Sequence, residues 1–143
     1  MTVIAWDGKT LAADKLGDAG GLKRTVTKIF RFEGGMFGAA GSASRSAEMF
    51  EWIKSGADPA RVPAYQLTDD YQMVMIVDND RRVWLYGASP HPFRMEDPFH
   101  AIGSGRDFAI AAMHLGCNAA RAVEVASHFE SGCGIGVDIL EFE

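Results

Sequence analysis

A chain of 143 residues and 15.5 kDa has the size of one ordinary domain, which buries roughly two-thirds of the surface its unfolded form exposes. Apolar residues make up 48% and charged residues 23%, with 16 Gly and 5 Pro, a mixture that excludes disordered, collagen-like and disulfide-scaffold chains. Nineteen acidic residues against fourteen basic ones give a net charge of -5 with no basic block, which removes nucleic acid and anionic membranes from the expected partners.

Thr2 to Trp6 is rich in β-formers, Asp7-Gly8 is a hairpin turn pair, and Thr10 to Asp14 returns as the second strand. Gly17, Gly20 and Gly21 mark a loop. Val26 to Phe32 then reads as a strand, turned by Glu33-Gly34-Gly35 into the small-residue strand Met36 to Gly41. From Ser42 to Ser55 the period becomes helical, with Met49, Phe50 and Ile53 on one face and Gly56 as the stop. Residues 57 to 70, with Pro59, Pro63 and Asp69-Asp70, read as a connector. Tyr71 to Asp78 and Arg82 to Gly87 flank Asn79-Asp80 as a third hairpin. A Pro-containing loop from Ser89 to Pro98 leads to a short strand, Phe99 to Ile102.

Two helices follow, one carrying Phe108, Ala111, Ala112 and Leu115, the other capped by Asn118 and carrying Ala119, Ala122, Val123 and Ala126. Ile135 to Phe142 closes as a strand. Strands and helices are segregated and not alternating, so the spacing predicts an α+β fold. The expected architecture is one domain over residues 1–143, a four-layer αββα sandwich of two antiparallel sheets.

Candidate chemistry begins at Thr2. Removal of an initiator Met requires a small following side chain, and Thr qualifies. The freed α-amine, with a reference pKa of about 8, can then take the proton from the hydroxyl of its own residue. Against this, any cytosolic protein can begin Met-Thr. Lys28 adds a second signal: alternation in Val26 to Phe32 places it on the face of Val26, Phe30 and Phe32, where an ammonium group needs a partner, and Asp14 is the nearest carboxylate in sequence. The competing reading is a strand-edge lysine lifting its head to water.

The third signal is Ala101-Ile102-Gly103-Ser104-Gly105-Arg106-Asp107. Ser104 and Asp107 fit a helix capping box, the simpler reading on spacing alone, and the same hydroxyl stands at a strand end where it can bond an amine. Gly132 to Gly136 resembles a phosphate loop but no helix follows it. Cys117 and Cys133 lack a CxxC, and the four histidines form no HxH or HxxxH pair, so neither a disulfide framework nor a metal site is signalled. Cys133 reads as a small buried thiol. No signal peptide and no run of about 18 apolar residues is present, so a soluble cytoplasmic protein without cofactor or metal is expected.

Thr2, the strand end Leu11-Ala12-Ala13-Asp14, Thr27-Lys28-Ile29-Phe30, Gly38-Ala39-Ala40-Gly41-Ser42 and Ala101-Ile102-Gly103-Ser104-Gly105 together resemble proteasome β subunits and the bacterial protease HslV. These are N-terminal nucleophile hydrolases, and the resemblance is greatest to the short proteasome-like proteins of bacterial and phage genomes. It implies that Thr2 is the nucleophile, that Lys28 tunes it, that Asp14 orients Lys28, that Ser104 contacts the α-amine and that the Gly38 N–H serves as oxyanion donor.

Two departures stand out. Where that family has an acid followed three positions later by a hydroxyl residue, this chain has Glu130 and Cys133, which are expected to hold Thr2 and its amine. The family's second long helix is replaced by the connector at 57 to 70, which thins one outer helical layer. The expected function is a threonine endopeptidase acting on peptides or unfolded proteins, assembled as a homo-oligomeric ring, with an AAA+ unfoldase as a candidate partner. The alternatives are a catalytically inactive assembly or scaffold protein of the same fold and an amide hydrolase for small molecules.

Overall fold

Alternation in the first two strands decides the layering. In β1 (Ile4–Trp6) and the residue before it, Val3 and Ala5 point one way and Ile4 and Trp6 the other; β2 (Thr10–Asp14) repeats this with Ala12 opposed to Leu11 and Ala13. The small set meets helices and the large set meets a second sheet. The computed structural model describes residues 1–64 and 72–142.

The first sheet has the antiparallel order β10-β1-β2-β11, with β10 spanning His100–Ile102 and β11 spanning Val137–Glu141. The second has the order β5-β6-β7-β8-β9: Ile29–Phe32, Gly35–Ala40, Met73–Asp78, Val83–Tyr86 and Phe93–Met95. Between the sheets Ile4, Trp6, Leu11, Met36, Met75 and Leu85 form a common core.

Helices α2 (Arg106–His114) and α3 (Ala119–Phe129) cover the outer face of the first sheet. Ala109, Ala112, Ala122 and Ala126 meet Val3, Ala5, Ala12 and Ala101, so small side chains on both surfaces let the layers approach closely. Asn118 caps α3, its Oδ1 accepting the Arg121 N–H at 2.8 Å. Among the described residues the opposite face carries one long helix, α1 (Ala43–Lys54), whose Met49, Trp52 and Ile53 pack on Phe37, Ala39, Val74 and Ile76. The result is the expected αββα sandwich with one outer layer reduced to a single long helix. Among the described residues no helix is long and apolar enough to cross a membrane.

Three local expectations are corrected. The predicted loop after Asp14 is a two-stranded ribbon, β3 (Leu16–Ala19) and β4 (Leu22–Thr25), turned at Gly20-Gly21 where both residues adopt positive φ. Its outer half is exposed on both sides, so its sequence has no alternation of apolar and polar residues to signal a strand. The predicted strand Val26 to Phe32 pairs only from Ile29, because the Val26 N–H is already bonded to the Lys15 carbonyl. Within the predicted loop Ser89 to Pro98, Phe93–Met95 pairs with β8 as an edge strand, a position that tolerates nearby prolines. Tyr71, expected to open β7, and Asp69-Asp70 in the connector lie outside the described residues. The described part of that connector holds one 3-10 turn, Pro59–Arg61.

Candidate active site

The start of β1 brings Thr2 against the turn between β10 and α2. The Thr2 carbonyl accepts the Gly105 N–H at 3.1 Å, and the Thr2 N–H donates to Ser104 Oγ at 3.2 Å. Gly103 makes this approach possible. It adopts φ +96°, and a Cβ there would be driven into the Thr2 carbonyl. The capping box proposed for Ser104 and Asp107 does not form: Gly105 is the N-cap of α2 and no side chain caps it. Ser104 turns to Thr2 instead.

Thr2 is almost fully buried, and its Oγ1 receives a hydrogen bond from Lys28 Nζ at 3.2 Å. The same ammonium donates to Asp14 Oδ1 at 2.9 Å and to the Met1 carbonyl at 3.2 Å. Lys28 reaches this place by a different route from the one alternation gives. The ladder of β5 starts one residue later, with Ile29 facing the first sheet and Phe30 and Phe32 turned towards Phe50 of α1. Freed from the pleat, the Lys28 side chain runs into the corner between β2 and Thr2 and is 9% exposed.

Asp14 is completely buried and fully occupied. Besides Lys28, its carboxylate accepts the N–H groups of Val3 (3.0 Å), Leu16 (3.3 Å) and Gly134 (3.1 Å). One carboxylate thus fixes the first residues of β1, the exit from β2, the approach to β11 and the ammonium beside Thr2. Sequence reading pairs Asp14 with Lys28 but has no signal for the three amides, which come from backbone distant in the chain or two residues on.

The remaining candidates separate. Gly38 lies in β6 opposite Ile29, the residue after Lys28, and a Cβ there would stand 3.1 Å from the side chains of Ile4 and Ile29. That register puts it on the Lys28 side of Thr2. Among the described residues it makes no hydrogen bond to Thr2. Glu130 and Cys133, expected to hold Thr2 and its amine, are not hydrogen-bonded to Thr2 among the described residues. Glu130 ends α3 and its Oε1 accepts the nearby Gly132 N–H at 3.1 Å, and Cys133 Sγ lies 4.0 Å from Ser104 Oγ. The Glu130 carboxylate thus bonds within its own turn through Oε1, and the Cys133 thiol is linked to Thr2 through Ser104.

Burial, with the neighbouring Asp14 carboxylate, pushes the Cys133 thiol up to about 11, which keeps it protonated at neutral pH. We expect Cys133 in the folded protein to resist iodoacetamide at pH 8 and to react only after denaturation, read by peptide mass mapping; rapid native alkylation would contradict this burial.

Beside Thr2, on the Ser104 side, opens a cavity of about 760 Å³ that runs between the two sheets. Met1, Thr2, Gly41 and Ser104 line it, together with the apolar side chains of Met73, Leu85, Met95 and Ile102. Of the residues that line it, sequence reading names Thr2 and Ser104 as site residues and gives no signal for Met73, Leu85, Phe93 or Met95. Among the described residues no group of three His, Cys, Asp or Glu side chains is placed to hold a metal ion.

No protein-family model and no curated protein sequence matches this chain. Solved structures do. The BPH protein of Thiobacillus denitrificans in complex with epoxomicin is similar to it with a TM-score of 0.74 at 22% identity, 100% of each chain being covered. BPH of the same organism, in a second structure, gives a TM-score of 0.72 at 23% identity over 100% of this chain and 99% of the other. The eukaryotic HslV of Trypanosoma brucei gives 0.74 at 18% identity over 99% of both chains.

Proposed function

We infer the activity of this chain from its fold, which is that of the similar HslV-like, proteasome-like structures. We propose that this chain is a threonine peptidase in which Thr2, after loss of Met1, attacks the carbonyl of a peptide bond. The observation that supports this most strongly is the Lys28 ammonium shared between Thr2 Oγ1 and the buried Asp14 carboxylate.

The chemistry follows from those contacts. A cation 3.2 Å from Oγ1 favours the ionised oxygen, and the Thr2 α-amine takes the hydroxyl proton as Oγ1 bonds to the substrate carbonyl. Ser104 Oγ, already at the Thr2 nitrogen, holds that amine with its lone pair towards the reacting atoms. Gly38, on the Lys28 side, is the proposed oxyanion donor; such a donor is worth about 3 kcal/mol of transition-state stabilisation. Collapse breaks the C–N bond, the amine returns its proton to the leaving nitrogen, and water hydrolyses the ester on Thr2. Asp14 holds Lys28 in place without touching substrate. Cys133, through Ser104, is a positioning residue. The complex of the similar Thiobacillus protein with epoxomicin supports the choice of an epoxyketone as probe.

A ring of copies enclosing Thr2 in a chamber, in the cytoplasm, and delivery of substrate by an unfoldase belong to the same proposal. The test joins two measurements on purified protein. The N-terminal peptide is expected to lack Met1, and a peptidyl epoxyketone is expected to add covalently to Thr2. A retained Met1 with no adduct would leave the scaffold reading in possession of the fold. Sedimentation as a monomer would remove the chamber.

A further inference from the structure

We propose that the cavity between the sheets binds an apolar side chain of the residue that follows the scissile bond, so that selectivity is exercised on the leaving side. This rests on the peptidase reading above and deepens it.

The argument starts from proton delivery. When the tetrahedral intermediate collapses, the C–N bond breaks and the departing nitrogen must receive a proton from the Thr2 ammonium, which gained it from Oγ1. Donor and leaving nitrogen must therefore lie within hydrogen-bond reach. In the structure the two functional atoms of Thr2 face different partners: Oγ1 faces Lys28, and the nitrogen faces Ser104. The departing chain consequently passes on the Ser104 side. The cavity opens on that side, with Ser104 and Gly103 in its wall.

Its chemistry then fixes the class of side chain. Met73, Leu85, Met95 and Ile102 belong to the apolar inter-sheet core, and Phe93, half exposed, stands at the rim. Two titratable groups share the lining. His100 is kept towards its neutral form by burial, opposed by Asp97, and the exposed Arg106 guanidinium is turned back onto the Gly103 carbonyl at 3.2 Å. A charged side chain entering would lose its water without gaining a partner. At about 760 Å³ the space accepts Leu, Met or Phe, and it falls within the roughly 300–1,000 Å³ of small-ligand sites.

The test uses internally quenched peptides identical up to the scissile bond and varied only in the next residue. Leu, Met or Phe there is expected to exceed Gly, Asp or Lys in kcat/KM by on the order of tenfold or more. Met95→Trp, which narrows the cavity, is expected to reverse the order of Phe and Ala. Phe93→Glu, at an exposed rim position that the fold tolerates, is expected to raise Lys relative to Asp.

Labelling of Thr2 by a peptidyl epoxyketone is measured in parallel, because its failure would overturn the peptidase reading and not merely this one. With Thr2 labelled, equal rates across the series would overturn the inference. So would a preference untouched by both variants, or variants that alter selectivity only for the residue before the bond.

Discussion

Thr2→Ala is expected to lower peptide hydrolysis by at least about a thousandfold and to abolish epoxyketone labelling, while Thr2→Ser keeps a measurable fraction of both. The two variants differ in one respect that matters: serine retains a hydroxyl at the Lys28 ammonium and alanine does not. Stability is the control. Thr2 is bound to its surroundings chiefly through backbone, its carbonyl by Gly105 and its nitrogen by Ser104, and these bonds survive either change. Loss of the single Oγ1 hydrogen bond is worth about 1 kcal/mol, so both variants are expected to melt within a few degrees of the parent. Full hydrolysis by Thr2→Ala would place the chemistry elsewhere.

The second large effect separates the two members of the ion pair. Asp14→Ala is expected to cost about 3–5 kcal/mol of folding stability, measured by urea denaturation, because it strands a nearly buried ammonium and three backbone N–H groups at once. Lys28→Ala leaves the Asp14 carboxylate with its three amide donors and is expected to cost less, with most of the activity gone nevertheless. One variant is therefore destabilised and the other folded but impaired. Equal destabilisation by the two would mean that the ammonium, and not the amides, satisfies Asp14. Full activity in Lys28→Ala would remove its tuning role.

The parts of this arrangement that were legible in the sequence are those governed by local rules. Asp7-Gly8 sets the first hairpin, and Ala119, Ala122, Val123 and Ala126 set the face of α3 that meets the first sheet, whereas the stripe expected for α2 is rotated: Phe108, Ala111 and Leu115 are exposed, and Ala109, Ala112 and Met113 are buried. Lys28 shows where such rules stop. Its proximity to Asp14 was foreseen from a strand face that it does not occupy, since the ladder begins only at Ile29. Of the amides that saturate Asp14, that of Leu16 is two residues on, but those of Val3 and Gly134 are distant in the chain and no periodicity connects them to it. Ser104 had a complete local explanation, the helix cap, and tertiary structure overrode it. Met95 was hidden for the opposite reason: nearby prolines describe a loop, whereas an edge strand tolerates them.

The two sheets do unequal work around Thr2. Ser104 and Asp14 are anchored to the first sheet, through the ends of β10 and β2, and Gly103 admits no side chain because the Thr2 carbonyl occupies that space. Met73, Leu85, Phe93 and Met95 all come from β7, β8 and β9 of the second. In the proposed peptidase the nucleophile is thus held from the first sheet and from Lys28 and Gly38 at one side of the second, whereas the apolar side chains of β7, β8 and β9 can be exchanged with the nucleophile left in place. Under the proposed peptidase reading, a lineage built on this scaffold can diversify what it cuts without reinventing how it cuts.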